Sequence, residues 1–451
     1  MSLVSISDLL AGARPDSHCV AIKDHRRITL ARLRADIAHN ANRLSKRSIR
    51  SAGVVCEDGY WFLVGVLALV KIGGEVILPP NSQAGTLRGL EQKIDVLLTD
   101  SDAGEAPKRI VLESSETEVA PMRFDAANSR VDFFTSGSTG EMKRVAKSLA
   151  LFEREAAVLE QMWGAEIGDA AVFGTVTHQH VFGMTFRIMW PLLAGRPFHS
   201  EFHVAWEPLL AMLDDHAMIV SSPAQLSRLA GLAPVALSAR PRMIITAGAP
   251  LPPDAAIEAR EIFGCVPTEI FGSTEAGVIA WRRGPTQPPL WQAFPSVEVA
   301  ATEQGVLRLR SPHSSEDGWC EQSDLISFAP DGRFSLEGRT DRVVKIEGKR
   351  VSLQQLEREI VALAWVEEAA VVRLGERRAY LGAVVKLSAE GNAESARLGK
   401  FRFERMLRRE LSSTEDLSVL PRRWRFVDSM PIDGLGKRRV HDVVALLEQP
   451  A

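Results

Sequence analysis

Apolar residues recur at helical spacing through ITLARLRADIAHNANRLSKR (residues 28–47), with a threonine near its start, and predict an amphipathic helix. SAGVVCEDG (51–59) and GGEVILPPN (73–81) are short apolar runs with turn residues at their ends. They lie on either side of WFLVGVLALV (61–70), which is apolar all round. That order predicts two buried strands flanking a buried helix, and strand–helix alternation predicts parallel pairing in an α/β layer. MIITAGAPLPPDAAIEAREIFG (243–264) repeats the strand–turn–helix sequence.

From about Gln287 the period shortens. SVEVA, GVLRLRS and GRFSLEG alternate apolar and polar positions between turn residues, as in a small antiparallel barrel or sheet. Beyond GRTDR the pattern changes again. LQQLEREIVALAWV and FRFERMLRREL read as helices, EEAAVVRL and AYLGAVVKL as strands. The expected fold class is α/β: a large domain over residues 1–339 with mostly parallel sheets and a small antiparallel barrel, then a compact α+β domain over 340–451.

Composition narrows the function little. The 451 residues are 45% hydrophobic and 25% charged with net charge −3, which gives no reason to expect nucleic-acid binding. Residues 340–451 carry 21 Lys/Arg against 17 Asp/Glu, so the small domain is mildly basic. Four scattered cysteines (Cys19, Cys56, Cys265, Cys320) lack CxxC spacing and suit free thiols in a reducing compartment. The start, MSLVSISDLLAGARPD, has no basic segment followed by a long apolar run, and the longest apolar stretch is too short to span a bilayer. A cytoplasmic location is expected.

Candidate chemistry begins at TSGSTGEMK (Thr135–Lys143), which follows the β-prone RVDFF. Glycines and hydroxyls ending in a lysine suit either a tight surface loop or a phosphate cradle of backbone N–H groups. The Walker spacing fails, because Met142 stands where that loop has glycine and Arg144 follows Lys143. EIFGSTEAG (269–277) sets Glu275 in a glycine-flanked turn; SDL, then GRTDRVVKIEGKR (338–350), sets Asp324 and Arg339 either side of a PDG turn; MPIDGLGKRRV sets Lys437 in a glycine-rich loop. Taken singly, each reads as a turn, a hairpin with a surface ion pair, or a basic tail.

In this order the segments resemble the adenylate-forming superfamily, which includes acyl- and aryl-CoA synthetases, nonribosomal peptide synthetase adenylation domains and luciferases. The resemblance runs through Thr135–Lys143, Gly248-Ala249-Pro250, Phe271–Glu275, Ser323-Asp324, Gly338–Arg350 and Pro431–Lys437, nearly the whole chain. It implies that Thr135, Ser136, Gly137, Ser138, Thr139, Gly140 and Lys143 hold ATP phosphates. Glu275 would bind Mg²⁺ and Thr274 would meet the α-phosphate. Gly248, Ala249 and Phe271 would line the adenine slot, and Asp324 and Arg339 would hold the ribose. Lys437 would reach the reacting carboxylate from a mobile C-terminal domain hinged at Asp341, and Gly348 would line the path of the thiol. Met142 and Arg144 depart from the family's usual proline and glycine.

HQHVFGM (178–184) could suggest a metal site, but no third ligand lies nearby in sequence, and packing histidines are the stronger reading. The resemblance makes His180, in His180-Val181-Phe182-Gly183, a gate to the acyl pocket. The aspartate that amino-acid-activating relatives place near here is absent, so an aryl or fatty acid is expected. The implied activity is ATP-dependent acyl-adenylate formation, then thioester formation with CoA or with the phosphopantetheine of an acyl carrier protein. The alternatives are a ligase that loads only a carrier, and a weakly catalytic acyl-AMP-binding protein, against which Glu275 and Lys437 both argue. Arg402, Arg405 and Arg409 fall on one face of the FRFERMLRREL helix, with Arg408 beside them; the strip reads as a solvated face or as a docking site for an anionic acceptor.

Overall fold

The computed structural model describes residues 2–80, 82, 84–102, 108–136, 142–284, 289–314, 317–346, 349–375, 379–412, 417, 419–431 and 440–449. The chain divides into two compact units. The first takes in residues 1–137, 141–299 and 309–320, and the second 138–140, 300–308 and 321–451.

The first unit is built on two sheets. In the nine-stranded sheet the order is Gln292–Ala293, Gly277–Arg283, Thr268–Ser273, Met243–Ala247, Ala217–Ser221, Ala171–Gly174, Phe198–His199, Cys19–Lys23 and Arg26–Thr29. The interior pairs run parallel, and antiparallel strands close both ends. The six-stranded sheet runs Arg109–Val111, Val96–Thr99, Ser51–Val54, Glu75–Leu78, Arg130–Ser136 and Met142–Lys147. Its pairs are parallel except the last, where Thr135 faces Lys143 across an antiparallel ladder.

The predicted buried helix spans Gly59–Lys71, because Asp58 caps it: the Asp58 carboxylate accepts from the backbone N–H of Tyr60 at 2.9 Å and of Trp61 at 3.0 Å. It is apolar all round because it is covered all round. A Cβ on Gly65 would touch Val54 of the six-stranded sheet, and the Phe62 ring lies 4.6 Å from that of His178, just beyond the end of a strand of the other. The predicted amphipathic helix spans Leu30–Lys46, with the Thr29 side chain accepting from Arg32 N–H. All four cysteines are free thiols, and among the described residues no helix is long and apolar enough to cross a membrane.

The second unit holds most of a four-stranded sheet, Glu298–Ala301, Val306–Arg310, Cys320–Phe328 and Phe334–Arg339 in chain order. It also holds a three-stranded sheet, Val366–Leu374, Tyr380–Leu387 and Arg423–Val427. Helices Leu353–Val361 and Lys400–Leu411 pack on one face of the three-stranded sheet, around Leu356, Ile360, Phe403 and Leu407. Helix Val440–Glu448 packs on the other through Val443 and Leu447. Both faces are buried, and the strands are correspondingly apolar.

Candidate active site

In open α/β sheets, ligands bind beyond the carboxyl ends of the strands, where backbone groups are not consumed by the ladder. Three parallel strands of the nine-stranded sheet, two adjacent and the third beyond one intervening strand, deliver candidate segments there. Gly174 leads to His178 and His180, Ala247 to Gly248-Ala249-Pro250, and Phe271 to Thr274 and Glu275. Gly248 has φ +99°, which favours glycine, and Ala249 and Pro250 are exposed. At Gly272 a Cβ would stand 2.5 Å from the Gly277 carbonyl oxygen, so the turn holding Glu275 can close only over glycine. The Ser273 hydroxyl accepts from Ala276 N–H at 3.1 Å within that turn.

Glu275 meets a residue from the other sheet. Lys143 Nζ donates to Glu275 Oε1 at 2.5 Å. Burial alone would raise the Glu275 carboxyl, but the Lys143 hydrogen bond and charge, with help from its own backbone N–H, hold it below the usual carboxylate range. An ionised, partly exposed carboxylate is the donor Mg²⁺ takes when phosphate oxygens and water supply the remaining ligands. The residues present therefore fit that ion.

The structure brings Lys143 and Glu275 together; Thr274 precedes Glu275 in the same turn, and Phe271 lies on the strand leading into it, its ring 5.7 Å from Trp291. The backbone of Thr135 and Ser136 ends the strand leading into the phosphate loop. Gly137, Ser138, Thr139, Gly140, Gly348 and Lys437 lie outside the described residues. In the second unit Asp324 pairs directly with Arg339 across an antiparallel ladder, and Arg339 Nη1 donates to Asp324 Oδ2 at 3.3 Å. Both the hairpin and the ion pair are present, with Gly332 at φ +82° in the connecting turn.

His180 stands at the N-cap position of the helix Val181–Gly183, without a side-chain capping bond, and is half-buried. His178 is the packing histidine: its Nε2 lies 2.9 Å from the Cys56 carbonyl and its Nδ1 faces Arg187. Burial, with the Arg187 charge, pushes it down to about 3, so it is a neutral ring beside a cation. Gly183 permits the turn, since a Cβ there would sit 1.9 Å from the Thr177 carbonyl oxygen.

Arg144 is bound into a charge cluster around the buried Asp132. It pairs with Glu75 and, at 2.5 Å, with Asp132, whose side chain is wholly buried. Burial and the neighbouring Glu75 raise the Asp132 carboxyl to about 7 despite Arg130. The departure at Arg144 thus anchors the strand that carries Lys143.

Sequence reasoning missed Glu155. It lies on helix Leu149–Ile167, buried among Leu149, Phe152, Ala156, Leu159 and Trp163. Its Oε1 accepts from Val278 N–H at 2.7 Å and its Oε2 from the Thr185 hydroxyl at 2.7 Å. It ties the strand after Glu275 to the helix after His180. The signal was a carboxylate inside a helical apolar stripe.

The fold and these segments define a nucleotide-handling enzyme of the adenylate-forming class. The sequence pattern of the AMP-binding enzyme family matches residues 10–307, and the chain belongs to that family. It is 27% identical over 314 residues to a 4-coumarate–CoA ligase of Rhodobacter capsulatus, covering 69% of this chain and 75% of that protein. It is 25% identical to a 3-hydroxybenzoate–CoA ligase of Aromatoleum sp., covering 88% of this chain and 79% of the relative. A probable non-canonical nonribosomal peptide synthetase of Salinispora arenicola is 26% identical over 87% of this chain, which spans 6% of that protein. Among solved structures, o-succinylbenzoate CoA synthetase from Bacillus subtilis superposes with a TM-score of 0.77 at 18% identity, covering 100% of this chain and 99% of that one.

Proposed function

We propose that the protein is an ATP-dependent acid–thiol ligase that forms an acyl- or aryl-adenylate and then a thioester. The observation that carries this reading is the Lys143–Glu275 pair at 2.5 Å, a phosphate-loop cation held on the carboxylate expected to face Mg²⁺. When ATP enters, Lys143 turns from Glu275 to the β- and γ-phosphates. The substrate carboxylate attacks the α-phosphorus, the bond to the bridging oxygen of the β-phosphate breaks, and pyrophosphate leaves. Mg²⁺ bound at Glu275 would neutralise charge on the phosphate oxygens. The chain's own contribution is positioning and electrostatic stabilisation. In this reading Thr274 would meet the α-phosphate, Asp324 and Arg339 the ribose, and Lys437 the reacting carboxylate, the roles the family resemblance implies. A thiolate then attacks the acyl carbon and AMP departs.

The aryl-CoA ligase relatives support an aromatic acid and CoA as acceptor. The peptide synthetase match supports the second reading, loading of a carrier-protein phosphopantetheine. ATP–pyrophosphate exchange with benzoates, cinnamates and fatty acids tests adenylation. Mass detection of acyl-CoA or acylated carrier then identifies the acceptor. A protein that binds acyl-AMP yet supports no exchange with any acid would be a binder, and the proposal would fall.

A further inference from the structure

Lys143 and Arg144 leave one strand in opposite directions. In the antiparallel ladder Lys143 stands opposite Thr135 and Arg144 opposite Phe134, so the two side chains take opposite faces of the six-stranded sheet. Lys143 crosses to Glu275 of the other sheet. Arg144 reaches back over its own. Its Nη2 donates to Asp132 Oδ2 at 2.5 Å and also to Glu75 Oε1. Asp132 is two residues before Phe134 on the neighbouring strand, a diagonal contact, and Glu75 lies one strand further, opposite Arg130. One side chain thus staples three strands, Met142–Lys147, Arg130–Ser136 and Glu75–Leu78.

That strand needs holding. It is the last in the sheet, and Lys143 sits one rung from the end of its ladder at Ser136–Met142, where strand ends fray. At the far end the buried Lys147 ties it to the His313 carbonyl at 3.0 Å. At the end beside the phosphate loop, one face is held by Lys143–Glu275, with Lys143 60% exposed, and the other by Arg144. In the adenylation reading the first contact is given up when Lys143 turns to the phosphates. The second is built to stay. Asp132 is wholly buried and its Oδ1 makes no hydrogen bond, while Arg130 Nε stands 3.4 Å from both carboxylates. Withdrawing Arg144 would take the closest cation from a buried carboxylate, which is costly.

We infer that Arg144 is a positioning residue for the phosphate site: its staple to Asp132 and Glu75 keeps Lys143 in place while that lysine exchanges Glu275 for the β- and γ-phosphates of ATP. The inference rests on the adenylation reading and concerns the nucleotide's polyphosphate, not the acid. Arg144 extends away from the loop and acts through Lys143. Without the staple, the end of the strand must be ordered each time ATP binds, and affinity falls by that ordering cost.

Arg144→Met removes the guanidinium and keeps an unbranched side chain, and Arg144→Lys restores a cation. In pyrophosphate exchange Arg144→Met should raise KM for ATP and for pyrophosphate about tenfold, with KM for the acid and kcat changed by less than about threefold. Arg144→Lys should recover most of that loss. Calorimetry separates this from a damaged fold. Arg144→Met should bind a non-hydrolysable ATP analogue with Mg²⁺ about tenfold more weakly, yet bind a benzoyl-sulfamoyl adenosine, which lacks the β- and γ-phosphates, as wild type does. Amide exchange over 142–147, read by mass spectrometry without nucleotide, should be about tenfold faster in the variant. If Arg144→Met does not fold, Asp132→Asn combined with it withdraws the buried charge together with its partner and takes its place in each measurement. Equal weakening of both ligands, unchanged affinity for the ATP analogue, or amide exchange no faster than wild type overturns the inference. If no acid supports exchange in wild type but the ATP analogue binds, adenylation fails, and selective weakening of that analogue in the variant still upholds the staple. If wild type does not bind the ATP analogue, both fall.

Discussion

Lys143 and Glu275 stand 132 positions apart, one on an edge strand of the six-stranded sheet and the other on a turn of the nine-stranded sheet, and their charged groups meet at 2.5 Å. Lys143 is 60% exposed and Glu275 27%, so the pair is a surface contact that ATP can compete for. Glu275→Gln should lower pyrophosphate exchange at least a hundredfold, yet cost less than about 1 kcal/mol of stability, the range of an exposed pair. The stability difference should depend on pH. A carboxyl held below its ordinary value of 4.5 contributes stability above that pH and loses it as pH falls through the depressed value. Melting temperatures of wild type and Glu275→Gln should therefore differ at pH 7 and converge at acid pH. A gap that persists to pH 3 would mean the pair is not the source.

Glu155 predicts the opposite balance, with a large stability effect and a smaller catalytic one. Its two oxygens satisfy Val278 N–H and the Thr185 hydroxyl, and it lies near the buried Lys147, whose Nζ donates to the His313 carbonyl at 3.0 Å. Burial lowers the Lys147 ammonium, and the Glu155 and Glu275 charges oppose that shift. Glu155→Ala strands a buried donor and weakens support for a buried cation, costing about 3 kcal/mol by denaturant melts. Glu155→Gln keeps an acceptor for Val278 and should recover more than half of that loss. Equal losses in both variants would show that the charge alone matters.

These two carboxylates mark what pattern could reach. Glu275 was legible because its turn carries glycines that the backbone needs, and such constraints survive in a linear sequence. Its meeting with Lys143 was not, since two sheets must first stack to bring the residues together. Glu155 shares its stripe with Leu149, Phe152 and Trp163, and helical spacing reads the whole face as apolar core. The helix at 30–46 was legible from its period and the threonine at its start, and the helix at 59–71 from its apolar run, though not from its Asp58 cap. The hairpin of Cys19–Lys23 and Arg26–Thr29 was not, because Asp24 and His25 take positive φ at its tip where Asn-Gly is the usual signal. The π-turn at 184–189 leaves no repeat that a 3.6-residue period would detect.

Lys437→Ala should abolish pyrophosphate exchange while largely sparing thioester formation from supplied acyl-adenylate. If Lys437 rides a mobile domain, as the family resemblance implies, it serves the half-reaction in which that domain closes over ATP. Gly348→Leu should do the reverse, keeping exchange and losing thioester. Equal loss of both half-reactions in Lys437→Ala would count against alternation of the domain between them.

The acceptor can be approached through helix Lys400–Leu411. Arg402, Arg405 and Arg409 are exposed along one face, with Phe401 71% exposed at its start. Arg408 turns inward instead, donating to the carbonyls of Leu417, Leu420 and Pro421, so it pins the following segment and leaves three arginines facing solvent. A row of cations at i, i+3 and i+7 suits the acidic surface of a carrier protein. Attraction of that kind acts mainly on the association rate and is screened within about 8–10 Å at physiological salt. Arg405→Glu combined with Arg409→Glu should raise the apparent KM for a carrier several-fold at low ionic strength and leave pyrophosphate exchange unchanged. The difference should shrink in 0.5 M salt, roughly where screening reaches a few ångströms. A double variant that loads carrier normally at low salt would reduce the strip to a solvated helix face, and CoA would then be the acceptor to pursue.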